Sequence, residues 1–142
     1  MDAFESLMAE VMTCADRFGH REHLHLAWLA VRRHGPSAAP DLLAAGIRRT
    51  ARYAGAPQKY HATMTQAWTH LVAHHVPEGP DDFGAFLQRF PRLLDKRLLT
   101  AHYSSSRLAS AEARASWITP DLAPFPTTPE SPQPGTTPSE GP

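Results

Sequence analysis

The stretch FGHREHLHLAW, from Phe18 to Trp28, constrains this chain more than any other. It places three histidines within six residues and runs directly into apolar sequence. The recurrence of apolar positions at helical spacing predicts an amphipathic helix. Each residue of a helix turns by about 100°, which sets His20, His23, Ala27 and Val31 on one stripe, with Leu24 beside it. That stripe carries the fewest charges, so it is the face the helix buries. His25 projects to the opposite side, near Arg32, and is expected in solvent. Two imidazoles thus face the interior where this helix begins.

The stretch KYHATMTQAWTHLVAHH, from Lys59 to His75, repeats the arrangement. Met64, Trp68, Leu71 and Val72 all fall within about 80° of His61 on a helix. His70 and His74 point the other way. With His75 they read as a solvated cluster near a helix end, where positive charge meets the negative end of the dipole.

Around these two segments the pattern predicts helices and little else. A first helix is expected over residues 2–17, with Asp2 as its N-cap and Phe4, Leu7, Met8, Val11 and Ala15 as its apolar stripe. The second runs from about His20 to His34 and stops at Gly35-Pro36. A third begins near Pro40-Asp41 and ends at Gly55-Ala56-Pro57, with Gly46 offering a neighbour close approach. The fourth covers about Gln58 to His75. Asp81-Asp82 cap a short helix carrying Phe83, Phe86, Leu87 and Phe90, and Pro91 starts another that runs through Leu98 to Tyr103. Residues 104–116 are weakly helical.

After Trp117 the chain turns Pro-rich and has no Lys or Arg. Residues 121–126 read as an extended strap over the body and 127–142 as a disordered tail. Neither repeats nor strand-like alternation occur. The expected fold is all-α: an up-and-down four-helix core, short C-terminal helices and a Pro-rich tail, with residues 1–126 as one domain.

In such a bundle helices two and four run the same way, so their first turns share one end. His20, His23 and His61 would then converge. An i, i+3 pair has Cβ atoms about 5–6 Å apart, and a third imidazole completes a three-nitrogen set that leaves a position open for water or substrate. Imidazole suits copper, iron, zinc and nickel, and Glu22 lies on the wrong side of its helix to add a carboxylate. The expectation is a small enzyme holding one divalent transition metal (copper, iron or zinc) on His20, His23 and His61 and acting on a small molecule, as in secondary metabolism or detoxification. His61, Tyr60 and Thr65 are its candidate catalytic residues, and Trp28 and Trp68 its candidate pocket walls. Other readings stay open: a non-enzymatic module whose histidines bind or sense a ligand, a metal-free enzyme with His61 as general base, and histidines that are only structural. Thr65 either reaches the site or bonds its own helix backbone. The reaction class, whether oxidoreductase, lyase or hydrolase, is not specified by these residues.

Composition narrows the partners. The 142 residues carry 14 basic and 14 acidic side chains, a formal net charge of +0. That argues against nucleic acid and anionic membranes, which need a basic surface. The opening MDAFESLMAEV lacks the basic start of a signal peptide, and no apolar run approaches the ~20 residues of a membrane span. A cytoplasmic protein is expected, as a monomer or a homodimer. Lys59 and Lys96 are the only lysines, and with abundant Ala, Arg and Pro this points to a GC-rich bacterial source. Cys14 stands alone, cannot form an intrachain disulfide and reads as a small buried thiol.

FGHREHLHLAW, KYHATMTQAW and YSSSRLASAEARASWITPDLAPFP together resemble a group of small uncharacterised bacterial helical proteins. Their pattern is F-x-H-x-x-H-L-x-x-A-W, K-Y-H-x-T-x-T, Y-S-x-x-x-L-x-S-x-x-A-R and P-D-L-x-P-x-P. His20, His23, Tyr60, His61, Thr63, Thr65, Ser104, Ser110, Arg114 and Asp121 match it. Members often carry an acid after the second-motif histidine, where this chain has Ala62. The resemblance implies no particular activity. It does draw attention to Arg114, either as a contact for an anionic group of a substrate or as the partner of Asp121 in tying down the strap.

Overall fold

A computed structural model of the chain describes residues 1–126. Among these the protein is all-α and has no strand. Its helices are α1 (Ala3–Met12), α2 (His20–His34), α3 (Ala39–Tyr53), α4 (Ala62–His75), α5 (Phe83–Arg89), α6 (Ser105–Ala109) and α7 (Ala111–Ala115). Turns of 3₁₀ helix occupy Pro57–Lys59, Val76–Glu78, Pro91–Leu94 and Lys96–Ala101.

Local chemistry explains the boundaries. The Asp2 carboxylate accepts from the Glu5 amide while the Glu5 carboxylate accepts from the Asp2 amide, a reciprocal cap that opens α1. Glu22 reaches back to the Gly19 amide at 3.0 Å and fixes the start of α2. Gly35, at φ 91°, ends that helix in a conformation that disfavours a side chain. Asp82 caps α5 through the Ala85 amide.

The core lies between α2, α3 and α4, each of which packs on the other two, with α1 laid against α2 and α3. The whole run Leu26–Val31 is buried, as are Ala67, Trp68, Leu71 and Val72 of α4. Phe4 of α1 rests directly on Gly46 of α3, where even a methyl group would overlap its ring. The close approach anticipated at that glycine is thus filled by an aromatic ring. The first turn of α2, the last turn of α3 and the start of α4 meet around one cavity, which is the up-down-up order.

The structure departs from the sequence reading at several points. Helix α1 stops at Met12 rather than continuing to residue 17, so Cys14 falls in the following turn and is exposed instead of buried. Helix α4 starts at Ala62, because Pro57–Lys59 forms a separate turn and His61 acts as the cap. After Pro91 the chain makes two 3₁₀ segments rather than a helix, broken at Asp95, whose carboxylate binds the Arg97 amide and guanidinium.

The histidines assigned to solvent are largely covered. His25 stacks on Phe83 with ring centroids 4.4 Å apart, His75 on Phe90 at 4.4 Å, and His70 lies 5.1 Å from Trp117. In each case a later segment folds back over the face that the four core helices leave open. The strap expected over residues 121–126 is free of helix but bends at 121–123 rather than running straight. Leu122 donates to the His102 carbonyl, and Phe125 packs over His102, 4.5 Å away. The expected disordered tail, 127–142, lies outside the described residues.

Candidate functional site

The cavity at the meeting point of α2, α3 and α4 has a volume of about 790 Å³. Ligand pockets commonly measure roughly 300–1,000 Å³. Its wall is mostly apolar, built from Phe18, Ile47, Met64, Trp68, Leu99 and Leu108. Into it come all three imidazoles expected to converge, His20, His23 and His61, together with Tyr60 and Thr65. Helix α3 contributes Ile47, Thr50, Ala51 and Ala54, so the distal part of its apolar face lines the cavity.

Each histidine is held differently. His61 is buried, and its Nδ1 accepts the Met64 backbone N–H at 3.1 Å. An amide can only donate, so Nδ1 carries the lone pair. Nε2 must then carry the proton that it donates to the Leu108 carbonyl at 2.8 Å. Both nitrogens are thereby committed to the protein's own backbone. His20 donates from Nε2 to the Leu93 carbonyl at 2.9 Å and sets its ring edge-on to Trp68, centroids 4.5 Å apart. Burial lowers its pKa, the Leu93 bond opposes this, and the charge of Lys96 lowers it further.

His23 is the least satisfied of the three. Its Nε2 has no accessible surface and no hydrogen-bond partner. Desolvation above all, then repulsion from His20, brings its pKa down to about 4, against a backbone bond at Thr65. At neutral pH it is an uncharged imidazole with a polar atom left over. Such an atom costs free energy wherever it is buried unpaired.

The charged groups of the lining are Lys59, Lys96 and Arg97, and no Asp or Glu is among them. Arg97 is paired with Asp95 at 3.1 Å. Neither lysine has a carboxylate partner among the described residues. Both lysines of the chain therefore stand at one cavity. In the sequence they stand out only as the two lysines of an arginine-rich chain. Their separation along the chain gives no hint that they meet, because Lys96 arrives on the 3₁₀ segment after α5.

The remaining candidates fall as follows. Trp68 is buried in the cavity wall, as expected of a pocket residue. Thr65 lines it too, and Thr69, one turn on, is the residue that bonds back to the helix, through the Thr65 carbonyl. Tyr60 is half-buried, and desolvation pushes its phenol upward against the charge of Arg48.

The structure does not bring Trp28 to this site. It packs against Phe83 and Phe86 on another side of α2, with Arg32 over its ring. Arg114 is also elsewhere. It donates to the Gln58 carbonyl, while Asp121 accepts from the Ser104 amide and hydroxyl, so the expected Arg114–Asp121 tie is not made.

Among the described residues no group of three or more His, Cys, Asp or Glu side chains is placed to hold a metal ion. In addition, both ring nitrogens of His61 are taken up by backbone hydrogen bonds. None of the described helices is long and apolar enough to cross a membrane. Comparison with protein-family models, with curated proteins and with solved structures finds no significant match. The motif resemblance therefore brings no assignment to the site.

Proposed function

We propose that this protein binds a small amphipathic carboxylic acid in the cavity at the α2–α3–α4 end. The observation that carries the reading is the lining itself: an apolar chamber of about 790 Å³ whose unpaired charges are two lysines and which contains no acid. The apolar part of the ligand would displace water from Trp68, Met64 and Leu108. Its carboxylate would meet Lys59 and Lys96 at the cavity mouth, through charge-assisted bonds that are stronger than neutral ones. The Thr65 hydroxyl supplies a neutral polar contact that fixes orientation.

The test is a binding series monitored by tryptophan fluorescence and calorimetry. It compares aliphatic and aromatic carboxylic acids with the alcohols and amines of the same skeleton. Acids should bind and alter the fluorescence of the wild type but not of Trp68→Phe, and Lys59→Met/Lys96→Met should weaken them at least tenfold. Equal affinity for alcohol, amine and acid would overturn the reading.

The convergence of three imidazoles on one chamber favours a second reading, a small metal-dependent enzyme using His20, His23 and His61. It requires His61 to release the Leu108 carbonyl or the Met64 amide, since only then does a ring nitrogen become free for an ion. Elemental analysis of protein prepared without an affinity tag tests it. A stoichiometric transition metal that is lost in His20→Ala, His23→Ala and His61→Ala, but kept in His25→Ala, would establish this reading. In a metal-free enzyme His20, rather than His61, is the better base, because its Nδ1 is outside the protein's own hydrogen bonds.

A further inference from the structure

We infer that a second site, independent of the apolar cavity, binds the terminal phosphate or pyrophosphate of a small molecule in a basin where Arg48, Arg52 and Arg114 meet. The basin lies between α3, the Pro57–Lys59 turn and α7, and has a volume of about 710 Å³. Arg48 and Arg52 stand four residues apart on α3, so their side chains project side by side from one face. Arg114 comes from α7 and is anchored beside them by its bond to the Gln58 carbonyl.

What sets the basin apart is that three arginines share one lining with no carboxylate in it. Arg32, Arg33, Arg49 and Arg97 each have a carboxylate partner. The three arginines of the basin have none among the described residues, and no Asp or Glu lines it. Like charges at i, i+4 oppose the helix that carries them. Three guanidinium groups gathered from two elements without a counter-charge concentrate positive charge in one concave place.

The geometry also selects the anion. A guanidinium presents a planar fork that grips two oxygens at once. Three forks suit the terminal oxygens and multiple charge of a phosphate, whereas a monocarboxylate offers two oxygens and one charge. Tyr60 forms the wall between basin and cavity. Its phenol stays protonated at neutral pH and is a fourth donor. The ligand is a small molecule rather than a polynucleotide, because the chain as a whole carries no net charge to hold a long phosphate backbone.

Calorimetry on the full chain at low ionic strength tests this, with inorganic pyrophosphate, inorganic phosphate and acetate as probes. One equivalent of pyrophosphate should bind, more tightly than phosphate, and acetate should give no saturable heat. Arg48→Gln and Arg52→Gln, both exposed positions, should each weaken pyrophosphate at least tenfold. Arg49→Gln removes the same charge from the same helix and should leave binding unchanged. Arg114→Lys, which keeps the charge but not the fork, should weaken it as well.

Absence of saturable pyrophosphate binding would overturn the inference. So would an Arg49→Gln effect as large as that of Arg52→Gln, which would indicate diffuse surface charge, or tighter binding of a single-stranded oligonucleotide than of pyrophosphate. Carboxylic acid binding to the apolar cavity should persist in Arg52→Gln, so the two sites fail or stand separately.

Discussion

His61 and Leu108 are joined by a hydrogen bond of 2.8 Å from Nε2 to the backbone carbonyl, which ties the start of α4 to α6. The same ring caps α4 through Nδ1, so one side chain serves two backbone groups. His61→Ala should destabilise the protein by about 2–4 kcal/mol: about 1 for the lost cap and 1–3 for the orphaned carbonyl. His61→Asn restores a cap but is too short to reach Leu108, and should recover about 1 kcal/mol of that loss. Urea denaturation of the three proteins measures the difference.

Stability should fall on mild acidification. His23 has a folded-state pKa of about 4, below the ordinary value of 6.5. Between these values the unfolded chain binds the proton and the folded protein does not, so lowering the pH favours unfolding. The contribution is complete above about 6.5, is lost progressively down to about 4, and amounts to about 3 kcal/mol in all. His20, His25, His70 and His75 are shifted in the same direction by burial and steepen the slope. The pH dependence of unfolding in His23→Gln should be visibly shallower than in wild type. An identical profile would contradict the burial of that ring.

Gly46→Ala should destabilise, against the usual trend. In a helix interior this change ordinarily gains about 1 kcal/mol. Here the new methyl overlaps the ring of the buried Phe4, and overpacking costs about 1–3 kcal/mol. Subtracting the first effect from the second leaves an expected net loss of up to about 2 kcal/mol. Adding Phe4→Leu to the glycine variant should give a favourable coupling in a double-mutant cycle.

Two buried threonines of α4 should respond differently to valine. The Thr63 hydroxyl donates to the Ser116 carbonyl and accepts the Ile118 amide, pinning the strap to the bundle. The Thr69 hydroxyl bonds only the Thr65 carbonyl within its own helix. Thr63→Val should cost about 1–3 kcal/mol, because the buried Ile118 amide loses its acceptor. Thr69→Val should cost less than about 1 kcal/mol, since back-bonding of this kind adds little to a helix. Thermal unfolding of both variants tests the contrast.

Helix α2 was readable almost to the residue because local signals bracket it, with Gly19 and Glu22 at one end and Gly35 at the other. The start of α4 was not, since Pro57 also reads as a helix opening and histidine is an uncommon cap. Up-down-up order was sufficient to bring His20, His23 and His61 to one chamber. It could not show where their nitrogens point. The Leu93 carbonyl lies 73 positions from His20, and the Leu108 carbonyl 47 from His61. Periodicity is local and carries no record of such partners. The misplacement of His25, His70 and His75 has the same origin. A helical wheel ranks the sides of one helix, whereas Phe83, Phe90 and Trp117 cover those sides from segments that the wheel does not contain.

That Lys59 and Lys96 both stand at the apolar cavity turns an ordinary coupling reaction into a site-directed one. They are the only side-chain primary amines in the chain, and both are exposed. An amine-selective acylating reagent will therefore decorate the cavity mouth and the N-terminus and leave the rest of the side-chain surface untouched. Intact mass would then report occupancy directly, as acyl groups withheld when a ligand is bound. Immobilising the protein through its amines would obstruct the entrance, whereas attachment through the exposed Cys14 thiol would leave it open.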